Sequence, residues 1–301
     1  MSKILLLILL IFNIVATGCV SDKSVFVEEK NVETVIHEEK DVEETIVEET
    51  VAEDENETEK SHSMDNDFLD VDNSGSGWGF VKKKNTEPEI YKSTQEMFAK
   101  YNTYYLDPKR EKKIYLTFDE GYENGYTSVI LDVLKEKEVP AAFFITGPYL
   151  EKEYELVDRM VNEGHIVGNH TVNHPNLHKL EEAQKMADEL GGLNAKFFEQ
   201  YGKNMNYMRP PEGEYSERLL AVADELEYKT VFWSFAYKDW DVNSQKGAKY
   251  AFEQVTPYLH DGAILLLHAV SKDNAESLGD IIDYAKEQGY QFASLDELDN
   301  Y

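Results

Sequence analysis

With 301 residues, the chain is long enough for one large domain or two small ones, and its 42% hydrophobic content suffices for a proper core. Its 59 acidic residues against 30 basic ones give a formal charge of −29, which argues against the basic surface that nucleic-acid binding requires. The acidic excess is unevenly spread, and by itself it signals solubility, not a partner.

The N-terminus reads as a targeting segment (1–19). Lys3 is followed by ILLLILLIFNIV, too short for an ordinary membrane span and the right length for a signal-peptide core. The next residues, ATGC, end at Cys19, the only cysteine, so an intramolecular disulfide is impossible. Small residues before a lone cysteine resemble the lipobox of bacterial lipoproteins, with Ala16 standing where a larger aliphatic residue is usual. That resemblance implies lipid on Cys19 and a membrane anchor. An ordinary cleaved signal and an uncleaved anchor remain open, and all three place the rest outside the cytoplasm.

Residues 20–75 read as an acidic linker. Glu dominates, Val and Ile are scattered, and the pattern recurs at roughly eight-residue intervals. Like charges at helical spacing repel, and there is little apolar surface to bury, so a disordered tether extended by self-repulsion is expected. DNSGSGWGF (72–80) marks the boundary, and residues 76–301 are expected to hold the chemistry.

Within that part, short apolar runs alternate with longer amphipathic ones. Strands are predicted at 113–118, 141–146, 165–170, 206–211, 229–235, 262–268 and in YQFASL near the end. Helices are predicted at about 126–138, 153–163 (ended by Gly164), 180–201, 216–226 (capped by Ser216), 247–259 and 275–288. About seven strand–helix units predict an α/β fold, a distorted (β/α)7 barrel, with active groups at the C-terminal ends of strands.

The polar residues obey that rule. Five of the strands end in such residues: the first in Asp119–Glu120, the third in Asn169–His170 with His174 beyond, and later ones in Arg209 and the following PPEG, in Trp233 with Asp239 and Trp240 beyond, and in His268. His170 and His174, four apart, can share a metal ion; alone, such a pair is often a chance surface feature. Arg209 suits a grip on Asp119, and a purely structural ion pair is its plainer role. Asp119 and Glu120 point to opposite faces of an ideal strand, so both reach one site only if the backbone turns, which Gly121 permits. His268, with an ordinary pKa of about 6.5, suits proton donation near neutrality; a satisfied core histidine is its plainer role.

In order, TFDE, HTVNH, RPPEG, WSFAYKDW and LLLH resemble the five motifs of the polysaccharide deacetylases, carbohydrate esterase family four. TFDEGYENGYT and LLLHAVSKDNAESL are similar to the branch that de-N-acetylates peptide-stripped N-acetylmuramic acid on the way to the spore-cortex muramic δ-lactam. The resemblance implies a seven-stranded distorted barrel, a peptidoglycan glycan strand as substrate and a divalent metal ion such as zinc. It implies Asp119 as general base, His268 as general acid and Arg209 as the residue that orients Asp119. It further implies an oxyanion contact from the Glu212 amide, metal ligands at His170, His174 and Glu120, and a sugar site bounded by Trp233, Asp239 and Trp240. Two departures stand out. Glu120 occupies a position where Asp is typical, and Ala236 stands where many relatives carry an Asp that tunes the acidic histidine, leaving Asp239 to substitute or His268 untuned. An N-acetylglucosamine deacetylase and a non-catalytic glycan-binding lipoprotein remain the alternatives.

Overall fold

The computed structural model describes residues 64–298. The targeting segment, Cys19 and linker residues 20–63 lie outside the described residues. Residues 64–75, expected in the linker, instead pack on the folded domain: Phe68 is buried in its core, and the Val71 and Asp72 carbonyls accept from Arg218.

The central sheet has eight strands: β1 (Thr103–Tyr104), β2 (Lys113–Glu120), β3 (Ala141–Ile145), β4 (Ile166–Asn169), β5 (Tyr207–Met208), β6 (Lys229–Val231), β7 (Ala263–His268) and β8 (Gln291–Phe292). They run in the order β7–β2–β3–β4–β5–β6–β1, with β8 beside the start of β2, and every pairing is parallel. Single bridges from Phe235 to Leu265 and from Leu106 to Ala263 carry the far edge back towards β7. The sheet thus curls into the expected distorted barrel. β1 is the strand not predicted; two residues are too short to leave a periodic signal.

Outside the sheet lie α1 (Lys92–Lys100), α2 (Thr127–Lys137), α3 (Tyr154–Asn162), α4 (Ala183–Tyr201), α5 (Glu217–Glu225), α6 (Ala248–Val255) and α7 (Lys272–Glu287). The parallel strands are buried on both faces, which is why β2 and β7 read as nearly unbroken apolar runs. Their residues nevertheless sort by parity. Leu116 and Phe118 of β2 and Leu265 and Leu267 of β7 join the large outer core with helix residues such as Ile130, Leu190 and Ile281. Tyr115 and Ile264 instead join Tyr104, Phe144, Tyr207 and Val231 in a smaller inner core. Above that inner plug, the same parity brings Thr117 and Asp119 of β2, and Leu266 and His268 of β7, towards the barrel mouth. The six-residue register of these two strands ends with His268 beside Asp119.

Ser216 caps α5 as expected: its Oγ accepts from the Leu219 N–H at 3.1 Å and donates to Asn73 Oδ1 at 2.7 Å. Ser216→Ala should lower unfolding free energy by about 1–2 kcal/mol, read from the midpoint shift in urea at unchanged slope.

Candidate active site

A cavity of about 670 Å³ opens at the C-terminal ends of the strands, and Asp119, His170, His174, Glu212, Trp233, Trp240 and His268 all line it. Seven of the ten residues singled out in the sequence therefore meet in one place. Arg209 lies directly beneath. Glu120 and Asp239 do not line the cavity.

Arg209 has no exposed surface. Its Nη1 donates to Asp119 Oδ1 at 2.7 Å, Nη2 to Thr117 Oγ1 at 2.9 Å, and Nε to the Val231 carbonyl at 2.8 Å. The guanidinium also stacks 4.2 Å from the centre of the Phe144 ring. Burial works to raise the Asp119 pKa, but the adjacent guanidinium, together with His170 and His268, outweighs it and holds the carboxyl below its ordinary range. Asp119 is thus ionised, with Oδ2 3.7 Å from His170 Nε2.

His170 is fixed from behind: its Nδ1 lies 2.8 Å from the Arg209 carbonyl and donates to it, because a carbonyl can only accept. That bond leaves the Nε2 lone pair facing the cavity, the tautomer a metal-ligating histidine needs. Burial pushes the His170 pKa down to about 4, so the ring is neutral. The His174 ring stands 4.8 Å away at a steep angle. His174 has a left-handed backbone (φ 57°), so the pair sits on a tight turn and not on a helix face.

Glu120 corrects the expected ligand set. The strand continues through residue 120, which pairs with Ile145, so no turn brings both carboxylates inward. Glu120 has no exposed surface, and neither carboxyl oxygen has a hydrogen-bond partner. Burial, the nearby Glu123 carboxylate and Asp119 push its pKa well up, so it is held as the neutral acid. Among the described residues, no three His, Cys, Asp or Glu side chains cluster as a metal centre. The two imidazoles suit two positions of a divalent ion's shell, and Glu120 does not supply a third.

On the neighbouring strand, His268 Nδ1 donates to Asp239 Oδ1 at 2.8 Å, and the His268 backbone N–H donates to Oδ2 at 2.8 Å. Asp239, expected in the sugar site, is instead the buried partner of the histidine. It occupies the role left vacant at Ala236. Burial works to lower the His268 pKa, but the Asp239 carboxylate, aided by Asp119, prevails and raises it. Asn274, buried in the first turn of α7, donates from Nδ2 to Asp239 Oδ2 at 2.6 Å, and Tyr237 donates its hydroxyl to Asn274 Oδ1. Asn274 and Tyr237 escaped the sequence reading, because a polar residue in an amphipathic helix carries no mark of what it faces. Thr117 was missed too, although it lies two residues before Asp119, on the same face.

Trp240 is half exposed, and its ring lies 5.5 Å from that of His268. Glu212 has a left-handed backbone (φ 59°), and Gly213 after it has φ 70°. These two residues turn the PPEG loop against the cavity.

A family model described as polysaccharide deacetylase matches residues 107–231. The peptidoglycan-N-acetylmuramic acid deacetylase PdaA of Bacillus subtilis is 46% identical over 230 residues, covering 76% of this chain and 87% of that protein. The chain belongs to the polysaccharide deacetylase family. The solved structure of B. subtilis PdaA, described as a family 4 carbohydrate esterase, superposes with a TM-score of 0.73 at 46% identity, covering 76% of this chain and 98% of that one. A family 4 carbohydrate esterase from Bacillus anthracis superposes with a TM-score of 0.64 at 43% identity, covering 76% of this chain and 97% of that one. The fold and the enzyme class thus agree with the family. A polysaccharide deacetylase is a hydrolase of amide bonds.

Two predictions follow from the charges. Asp239→Asn removes the carboxylate that keeps His268 protonated, so the alkaline limb of the kcat–pH profile should move to lower pH. Glu120→Gln should raise the melting temperature by a few degrees at pH 8, at about 2–4 °C per kcal/mol. An acid that stays protonated in the fold but ionises in the unfolded chain costs stability as pH rises above its ordinary value of 4.5. The gain should therefore vanish towards pH 4 and leave activity intact, as calorimetry and a rate assay will show.

Proposed function

We propose that this protein hydrolyses the N-acetyl group of N-acetylmuramic acid in peptidoglycan, on glycan strands already stripped of peptide, as a step towards the muramic δ-lactam of the spore cortex. The observation that carries the chemistry is the placement of Asp119 and His268. They sit side by side on neighbouring strands, open to one cavity, each with a buried counter-charge that fixes its proton state. The name of the B. subtilis relative supports the substrate.

In this reaction Asp119 accepts a proton from a water as the water oxygen bonds to the acetyl carbon. Arg209 keeps one Asp119 oxygen occupied and aims the other. The oxyanion that forms is received by the Glu212 amide. His268 then gives its proton to the sugar nitrogen as the C–N bond breaks, and acetate and a free amine result. Trp233 and Trp240 bound the sugar. His170 and His174 would hold a divalent ion, zinc being the expected one, and such an ion supplies positive charge for the water and the acetyl oxygen. We further propose an extracytoplasmic enzyme, anchored by lipid on Cys19 and spaced from the membrane by the acidic segment of residues 20–63.

One observation favours a second substrate, N-acetylglucosamine. Among the described residues, those lining the cavity include the acidic Asp119 and Glu212 and no lysine or arginine, whereas peptide-stripped muramic acid brings a free carboxylate of its own. Mass spectrometry of glycan products separates the two sugars.

The decisive experiment is acetate release from amidase-treated peptidoglycan. Asp119→Asn and His268→Ala should each lose about 10²–10⁴ in kcat, and chelation should lower the rate until a divalent ion is restored. Near-normal turnover in both variants would falsify the mechanism.

A further inference from the structure

The segment just before the barrel is built into the cavity's wall. Ser76 and Gly77 pair antiparallel with Tyr215 and Glu214. The Trp78 backbone N–H donates to the Gly213 carbonyl at 2.8 Å, and its indole Nε1–H donates to the Trp233 carbonyl at 2.9 Å. Upstream, Asn73 Nδ2 donates to the His178 carbonyl at 3.0 Å, while its Oδ1 accepts from Ser216 Oγ at 2.7 Å. The strap is thus bonded along its length to residues 213–216, which directly follow Glu212, once to His178 and once more to Trp233.

That loop needs an external hold. Glu212 and Gly213 are successive left-handed residues, and a non-glycine residue persists there only when its surroundings impose the conformation. The space behind is closed on Trp78: a Cβ on Gly213 would lie 2.8 Å from the Trp233 ring and 3.4 Å from Trp78 Cβ. The indole itself is locked among Phe98, Tyr105 and Phe232, each with its ring centre 5.3 Å away. Trp78 therefore presents two N–H groups, one on its backbone and one on its locked indole, each fixed on a carbonyl of a cavity segment.

We propose that Trp78 is a positioning residue for deacetylation. Its two donors fix the Gly213 and Trp233 carbonyls and so set the Glu212 amide and the Trp233 ring at the acetyl group. The proposal rests on the role given to Glu212 above. Misplacement of an oxyanion donor acts on the transition state far more than on the bound sugar, so its mark is a fall in kcat at constant KM.

Trp78→Phe keeps an aromatic ring in the cluster and deletes the indole donor. Asn73→Ala cuts the upstream anchors from a partly exposed site and leaves Trp78 untouched. With amidase-treated peptidoglycan, Trp78→Phe should lose on the order of 10- to 100-fold in kcat, and Asn73→Ala should lose less. Both should keep KM within about threefold and both limbs of the pH profile in place. Affinity for a methylphosphonamidate analogue of the amino sugar, a tetrahedral mimic, should fall in parallel with kcat. Wild-type kcat and analogue affinity in both folded variants would overturn the proposal, as would losses that only follow the unfolded fraction seen by circular dichroism. If the wild-type protein itself releases no acetate, the fault lies with the proposed reaction, not with the strap.

Discussion

Arg209 carries a full positive charge at a position with no exposed surface, and that charge has to be answered from within the barrel. Removing a guanidinium from water costs several kcal/mol, recovered only through good geometry and full hydrogen bonding. Here the answer comes from many directions. Asp119 and Thr117 belong to β2, Val231 to β6, Phe232 to the segment after it, and the Phe144 ring to β3. The Arg209 carbonyl then sets the tautomer of His170 just after β4. One side chain thus ties the ends of several strands to the proton state of a carboxylate and to the lone pair of an imidazole. The same demand explains why the inner core stops at Tyr115 and Phe144 and does not fill the mouth: the apolar plug forms the floor on which the charge rests.

Strand parity does the sorting. Asp119 and Glu120 are covalent neighbours with opposite fates. One is ionised against a cation at the cavity; the other is buried behind the sheet, unpaired and neutral. A carboxylate could be kept ionised behind the strand only by a cation there, and the groups that act on Glu120 are Glu123, Asp119 and the Thr127 hydroxyl. Glu123 is itself committed to the start of α2, accepting from the N–H groups of Gly125 and Tyr126. The far side of β2 is therefore acidic, with no cation beside Glu120 among the described residues, which is why Glu120 holds its proton.

Most of the architecture was legible from the chain because long apolar strands and amphipathic helices leave periodic marks. Register was legible only in part. The strand ends at 119, 170, 209, 233 and 268 announced a shared site, since polar groups have little other reason to close buried strands. The fate of Glu120 turned on whether the backbone bends at Gly121, a local geometry that composition does not encode. Asp239 showed the reverse. Its side chain lies beyond a strand end on an irregular loop, where no period fixes direction, so sugar contact and histidine partner were equally open. By sequence the strap from Asn73 to Trp78 is a boundary, because glycine and serine mark loops. Its role depends on contacts with residues more than 100 positions away, which no local pattern reveals.

The two charged pairs at the cavity, Asp119 with Arg209 and His268 with Asp239, obey one electrostatic logic with opposite signs. Arg209 lowers the proton affinity of Asp119, and Asp239 raises that of His268, each against the effect of burial. The two shifts widen, from both ends, the pH range over which a base without its proton and an acid with its proton coexist. Their mutual attraction adds to this, since the imidazolium stabilises the carboxylate and the carboxylate the imidazolium. A hydrolase that must take a proton on one side of an amide and deliver one on the other needs that pairing before substrate arrives. The buried partners supply it without any group from the substrate. Neither partner has to move during the reaction, because each is held by bonds that do not involve the cavity: Arg209 by backbone carbonyls, and Asp239 by Asn274 and the His268 backbone N–H.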